Sequence, residues 1–224
     1  MFRQIWESIA EDLKQAIIRG ELKGGERLRI DELSLKFGVS NTPIRDAFRY
    51  LANLGFVENI PRRMVVVREI TLKEVENIYE IQGVLEGLAA GLAARRCTPE
   101  ELDQLQSLCH RMERCVAEKD IEGYSAADVE FHALFVRLSG NPRLIQMVEN
   151  ARDHINRFRF LMLRSPGRLE ESMGEHRRVI AALANRDAEA ADREIRTHIA
   201  VSAELLKRML KHHGESTLGP GETG

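Results

Sequence analysis

Leu28-Arg-Ile-Asp-Glu-Leu-Ser-Leu-Lys-Phe-Gly38-Val-Ser-Asn-Thr-Pro43-Ile-Arg-Asp-Ala-Phe-Arg-Tyr-Leu-Ala-Asn-Leu-Gly55-Phe-Val57 is the stretch on which the fold turns. Its pattern predicts a short helix from about Asp31 to Phe37 and a tight turn over Gly38-Val39-Ser40. A second helix opens near Thr42-Pro43 and ends at Asn53-Leu54-Gly55. Pro43 suits the first helical turn, where its missing N–H leaves no bond unmade. Ile44, Phe48, Leu51 and Leu54 fall on one face of the second helix and are expected in the core. Two short helices across a glycine-containing turn make a helix-turn-helix.

Upstream, Ile5, Ile9, Leu13 and Ile17 recur every fourth residue and predict one apolar face of a helix over residues 2–19, stopped by Gly20. Downstream, Phe56–Ile60 and Met64–Val67 are short β-branched runs around Pro61-Arg62-Arg63, read as a two-stranded hairpin, the wing. Thr71 with Glu74 has capping-box spacing. Helical patterns follow over roughly 72–96, 99–118, 121–139, 143–164, 168–185 and 187–211, broken by Thr98-Pro99, Gly140-Asn141-Pro142, Ser165-Pro166-Gly167 and Asn185-Arg186-Asp187. The expected fold class is mainly α. Residues 1–70 form a winged helix-turn-helix, 71–212 an antiparallel all-helical bundle, and 213–224 a flexible tail.

Composition bounds the function. Of 224 residues, 43% are hydrophobic and 30% charged, a soluble globular balance. No uncharged stretch approaches the roughly 20 apolar residues of a membrane span. The first residues meet an acid at Glu7 and carry no signal-peptide core, so a cytoplasmic protein with no membrane partner is expected. Cys97, Cys109 and Cys115 match neither zinc-ribbon nor redox spacing and read as buried helix residues. The net charge of −2 hides 12 Lys/Arg against 10 Asp/Glu over residues 1–70, and 21 against 25 beyond.

The N-terminal residues of the second helix enter the major groove in such a motif. Here they are Ser40, Asn41, Thr42 and Arg45, with Arg49 a turn later. Arg45 can fork onto guanine or clamp a phosphate, Asn41 can pair bidentately with adenine, and Ser40 and Thr42 suit phosphate or base contacts. Arg27 and Arg29 precede the first helix, and Arg62 and Arg63 sit at the wing tip. A double-stranded DNA operator is the expected partner. One short helix reads too few bases for genomic specificity, so a homodimer on a pseudo-palindromic site is expected. The core Gly38-Val-Ser-Asn-Thr-Pro-Ile-Arg-Asp-Ala47 resembles the DNA-binding domain of the GntR family of transcriptional regulators, although Asn41 and Met64 stand where that family commonly has arginine and glycine.

The C-terminal part, about residues 72–210, resembles the FadR-type effector-binding domain called FCD. The resemblance rests on Leu85-Glu-Gly-Leu-Ala-Ala-Gly-Leu-Ala-Ala94, Asp128-Val-Glu-Phe-His-Ala-Leu-Phe-Val-Arg-Leu-Ser-Gly-Asn141, Glu175-His-Arg-Arg-Val-Ile-Ala-Ala-Leu183 and Ala191-Asp-Arg-Glu-Ile-Arg-Thr-His198. It implies a helical bundle around a pocket that often holds a metal and binds small carboxylates. Asp128 and His132, four apart, project from one helix face, and His176 and His198 lie on later helices. Spacing alone leaves all four as ordinary polar residues. The resemblance makes them ligands of a divalent transition metal such as Zn, Ni, Mn or Fe, and excludes His110 and His154. It further implies a small organic acid effector, with Gln82, Arg152 or Arg159 as second contacts, although Gln82 stands where the family often has arginine. Gly83, Gly87 and Gly91 predict close packing against a neighbouring helix. A metal-dependent enzyme and a metal-free interaction module are the rival readings. The first lacks any HExxH, Walker, GxGxxG or GxSxG motif, and no enzyme is expected.

Overall fold

The computed structural model of the chain describes residues 4–60, 64–69 and 71–216, apart from the side chains of residues 155, 157, 158, 160, 161 and 212–216. The chain divides into two compact units, Met1–Thr71 and Leu72–Gly224.

The first unit contains α1 (Ile5–Ile18), β1 (Arg27–Leu28), α2 (Ile30–Phe37), α3 (Asn41–Asn53), β2 (Val57–Ile60) and β3 (Met64–Val67). α2 ends because Gly38 adopts a left-handed conformation with φ 65° and ψ 35°. A Cβ there would meet nothing within 4 Å, so glycine serves the backbone conformation and not space. Ile9, Leu13 and Ile17 of α1 and Ile44, Phe48 and Leu51 of α3 form one apolar core, closed by Leu28, Val57, Val65 and Val67 of the sheet. Leu54, at the C-cap of α3, packs at the edge of that core. Ile5 departs from the expected stripe and is 63% exposed, because it sits in the first turn of α1, before the core residues begin at Ile9.

The wing is a three-stranded antiparallel sheet in the order β1-β3-β2, where a two-stranded hairpin was expected. β3 pairs Val66 with Arg27 on one edge and with Glu58 on the other. A two-residue strand is too short to leave a period in the sequence, so β1 is invisible until its partner is placed.

The second unit holds α4 (Leu72–Arg96), α5 (Pro99–Glu118), α6 (Ile121–Leu138), α7 (Pro142–Leu163), α8 (Arg168–Ala184) and α9 (Ala188–Ser216). Thr98 caps α5 reciprocally with Glu101, ahead of Pro99 in the first turn, and Asp120 caps α6 by accepting from the Gly123 N–H at 2.9 Å. Tyr124, Phe131, Phe135, Leu105, Met112, Leu183 and Ile195 are fully buried between the helices. The three cysteines are free and buried, and burial pushes the Cys109 thiol up to about 12. α9 reaches Ser216, four residues into the stretch expected as a tail, because an established helix adds a further turn at little cost. Residues 217–224 lie outside the described residues. No helix among the described residues is long and apolar enough to cross a membrane.

The glycine stripe of α4 faces α9. A Cβ on Gly87 would come within 2.9 Å of Arg196 Nε, and one on Gly91 within 3.1 Å of the Ala188 carbonyl oxygen. This close approach brings the polar residues of α4 and α9 within reach of a shared interior. Gly91→Leu therefore drives a side chain against the α9 backbone at Ala188, forces the two helices apart and lowers the stability of the full chain by about 1–3 kcal/mol, the usual cost of overpacking. Chemical denaturation reads this directly, and an unchanged midpoint contradicts the packing described.

Candidate metal centre and nucleic-acid interface

Asp128 and His132 lie one turn apart on α6, His176 on α8 and His198 on α9, and all four are buried. One ligand atom from each gathers so that all four lie within 4.8 Å of one another. Asp128 Oδ1 is 3.0 Å from His176 Nε2 and 3.6 Å from His132 Nε2, and those two nitrogens are 3.4 Å apart. His110 is exposed and His154 belongs to no such cluster among the described residues.

The outward nitrogens settle the tautomers. His176 Nδ1 sits 2.8 Å from the Ser172 carbonyl oxygen, which can only accept, so Nδ1 carries the proton. His132 Nδ1 donates to Glu86 Oε2 at 2.7 Å, and His198 Nδ1 donates to Glu175 Oε2 at 2.6 Å. Burial favours a proton on both carboxylates. For Glu86, however, Arg152 and His132 outweigh it and hold the group far below the usual carboxylate range. For Glu175, His198 and Arg168 do the same and bring it to about 2. Arg168 grips Glu175 with two parallel bonds of 2.9 and 3.0 Å. Burial lowers His132 and carries His176 and His198 down to about 3, so the imidazoles are neutral at pH 7. Three Nε2 lone pairs and a carboxylate oxygen thus face one another with no proton between them. Asp128 Oδ1 has no hydrogen-bond partner although it is buried. A group of acceptors held this way suits a cation, and three imidazoles with one carboxylate are donors that borderline divalent metals take.

Beside the four residues lies a cavity of about 50 Å³ whose wall includes Tyr79, Gln82, Arg152 and Arg159. Arg159 donates to Asp128 Oδ2, and Arg152 Nε is 3.4 Å from Glu86 Oε1. Arg152 Nε and Nη2, Arg159 Nε and Gln82 Oε1 are buried without hydrogen-bond partners. The three residues expected to touch an effector therefore line one cavity with three of the four expected metal ligands, Asp128, His132 and His198. Sequence reasoning missed Glu86, Ser172, Glu175 and Arg168. The signal available was positional, since Glu86 lies one turn after Gln82, and Glu175 precedes His176.

In the first unit, Ser40 is the N-cap of α3, and Asn41, Thr42, Arg45 and Arg49 are exposed along it. Arg27, Arg29 and Arg45 line a groove of about 320 Å³ beside Met64 and Val65. Arg29 pairs with Glu32 at 2.9 Å and Arg49 with Asp46 at 3.4 Å. Arg45 has no ion-pair partner among the described residues. Asn41 accepts from Ser34 Oγ at 2.5 Å and reaches Asp31 Oδ1 at 3.5 Å, which braces α3 against α2. Arg62 and Arg63 lie outside the described residues.

Comparison with known proteins matches residues 6–67 to the bacterial regulatory proteins of the gntR family and residues 77–201 to the FCD domain. The chain is 32% identical over 206 residues to the HTH-type transcriptional regulator YdhC of Bacillus subtilis, covering 91% of this chain and 92% of that one. It is 24% identical over 209 residues to the HTH-type transcriptional repressor RspR of Escherichia coli, covering 93% and 92%. Among solved structures, E. coli McbR/YncC superposes with a TM-score of 0.76 at 24% identity, covering 93% of this chain and 100% of that chain, a likeness of fold.

The tautomers give a direct test. In metal-free protein at pH 7, nitrogen-15 NMR of the histidine rings is expected to find His132, His176 and His198 neutral and protonated at Nδ1. A proton on Nε2 of any of the three contradicts the geometry.

Proposed function

Since the chain belongs to the GntR family of bacterial transcriptional regulators and carries its FCD domain, we propose that it binds operator DNA under the control of a small carboxylate held at a metal ion in the C-terminal unit. The family are DNA-binding regulators and not enzymes, so the histidine cluster serves recognition. The protein acts in the cytoplasm, as a homodimer on a pseudo-palindromic operator, because a single α3 spans too few base pairs.

The observation that carries the metal reading is the convergence of three Nε2 lone pairs and Asp128 Oδ1 with every Nδ1 proton committed outward. Asp128, His132, His176 and His198 would hold Zn, Ni, Mn or Fe. The ion would supply a Lewis-acidic anchor for an anion. The chain's own residues supply the rest. Around the centre the buried acids Glu86, Asp128 and Glu175 are matched one for one by Arg152, Arg159 and Arg168, so a divalent ion leaves an uncompensated positive charge. An organic acid neutralises it, with the unpartnered N–H groups of Arg152 and Arg159 as donors to its oxygens. An anion bound there joins side chains of α4, α6, α7, α8 and α9, and the effector acts on DNA affinity through whichever arrangement of those helices it favours.

On DNA, Arg45 is the principal base or phosphate contact of α3, supported by Thr42, Ser40 and Arg49, with Arg27 and Arg29 on the backbone and Arg62 and Arg63 at the wing. Asn41 reads a base only after exchanging its bonds to α2 for bonds to DNA. Arg45→Ala is expected to weaken binding to a sequence selected from a random duplex pool by about tenfold or more, read by fluorescence anisotropy. Undiminished binding contradicts the assignment. Protein purified without a nickel column is expected to take up about one equivalent of a divalent metal, by coordination number and charge, and the His176→Ala, His198→Ala double variant none. Elemental analysis after dialysis decides, and wild-type protein that neither contains metal nor takes it up overturns the site.

A further inference from the structure

Asp128, His132, His176 and His198 are each more than nine-tenths buried, so the side chains around the adjoining cavity decide how an ion reaches them. On one side α7 and α8 line that cavity with Arg152, Arg159 and Arg168, whose guanidinium groups stand in the way of a cation. On the other, an open groove of about 470 Å³ runs between α4 and α9. Tyr79 of α4 and Ile199 of α9 line both spaces and form the wall that the two share. This wall is held loosely. The Tyr79 hydroxyl donates to Met162 Sδ at 3.7 Å, a weak acceptor, so turning the ring gives up little. Gly83 carries no side chain where a Cβ would stand 3.8 Å from Ile199 Cγ2, which leaves Ile199 room to swing toward α4.

The rim of the groove suits a cation. It carries Glu76, Glu80 and Glu204 against Arg196 and Lys207. Arg196 is matched by Asp192 at 2.8 Å, Lys207 lies between Glu76 and Glu204, and Lys73 stands 3.4 Å from Glu76. Glu80 is exposed and has no ion-pair partner among the described residues, which leaves its negative charge unmatched beside Tyr79. Beyond the wall waits Asp128 Oδ1, buried and without a hydrogen-bond partner. We propose that the α4–α9 groove is the route by which the metal ion enters and leaves the centre. Glu80 draws the cation to the rim, and Tyr79 with Ile199 is the gate it passes. The inference rests on the metal reading proposed above and adds the residues that set the rate of exchange.

Stopped-flow mixing of the metal-free full chain with Co²⁺ reads entry through the visible absorption of the bound ion, and excess EDTA added to the loaded chain reads exit. Ile199→Ala opens the wall and is expected to speed both by about tenfold while the dissociation constant stays within about twofold, because a gate lies on the path and not in the bound state. Glu80→Gln changes an exposed residue and leaves the fold intact. It is expected to slow entry about two- to threefold at low salt, a difference that closes at high salt. If Ile199→Ala lowers the affinity or the melting temperature, Gly83→Ala takes its place, since a methyl in the space of Ile199 is expected to slow both directions about threefold. Unaltered entry in Glu80→Gln, or gate variants that leave entry and exit unchanged, overturns the route and leaves the metal reading standing. Wild-type chain that takes up no Co²⁺ overturns both.

Discussion

Three hydrogen bonds that point away from the centre organise the second unit: His132 to Glu86, His176 to the Ser172 carbonyl, and His198 to Glu175. Each fixes a tautomer and a ring angle, and together they leave only acceptors facing inward. Partners of this outer kind set the orientation and basicity of metal-binding histidines. The arrangement is stable only as a set, because removing one outer acceptor frees a ring to turn and leaves a buried N–H unmatched. The close packing of α4 on α9 serves the same end, since α4 carries Glu86 and α9 carries His198.

The outer acids are themselves held by arginines, which gives the cavity its character. Arg168 is bonded to Glu175 and Ser202, whereas Arg152 and Arg159 keep unpartnered N–H groups. The N–H groups left unmatched at the cavity thus belong to Arg152 and Arg159. Burial makes this distinction energetic, because a charge removed from water tolerates few arrangements.

Much of this was legible in the sequence, and the reasons are specific. The turn at Gly38 needs a left-handed residue, and glycine with Pro43 announces both helix ends, so α2 and α3 could be placed within a residue or two. Asp128 and His132 declare a shared face by their spacing of four. Joining them to His176 and His198 required the family resemblance, because nothing local says which helices meet. Glu86, Glu175 and Arg168 were missed since a charged residue on a helix reads as solvated until packing buries it. β1 and the exposure of Ile5 escaped for a plainer cause, as pairing partners and the edge of a core are properties of tertiary structure.

X-ray absorption spectroscopy of the full chain loaded with one equivalent of Zn²⁺ reads the ligands of the candidate centre. Coordination by Asp128, His132, His176 and His198 is expected to give a first shell of light atoms at about 2.0–2.2 Å with the multiple scattering of three imidazole rings and one carboxylate oxygen, the rest of the shell being solvent or added acid. A shell with fewer than three imidazoles, or one containing sulfur, would contradict it.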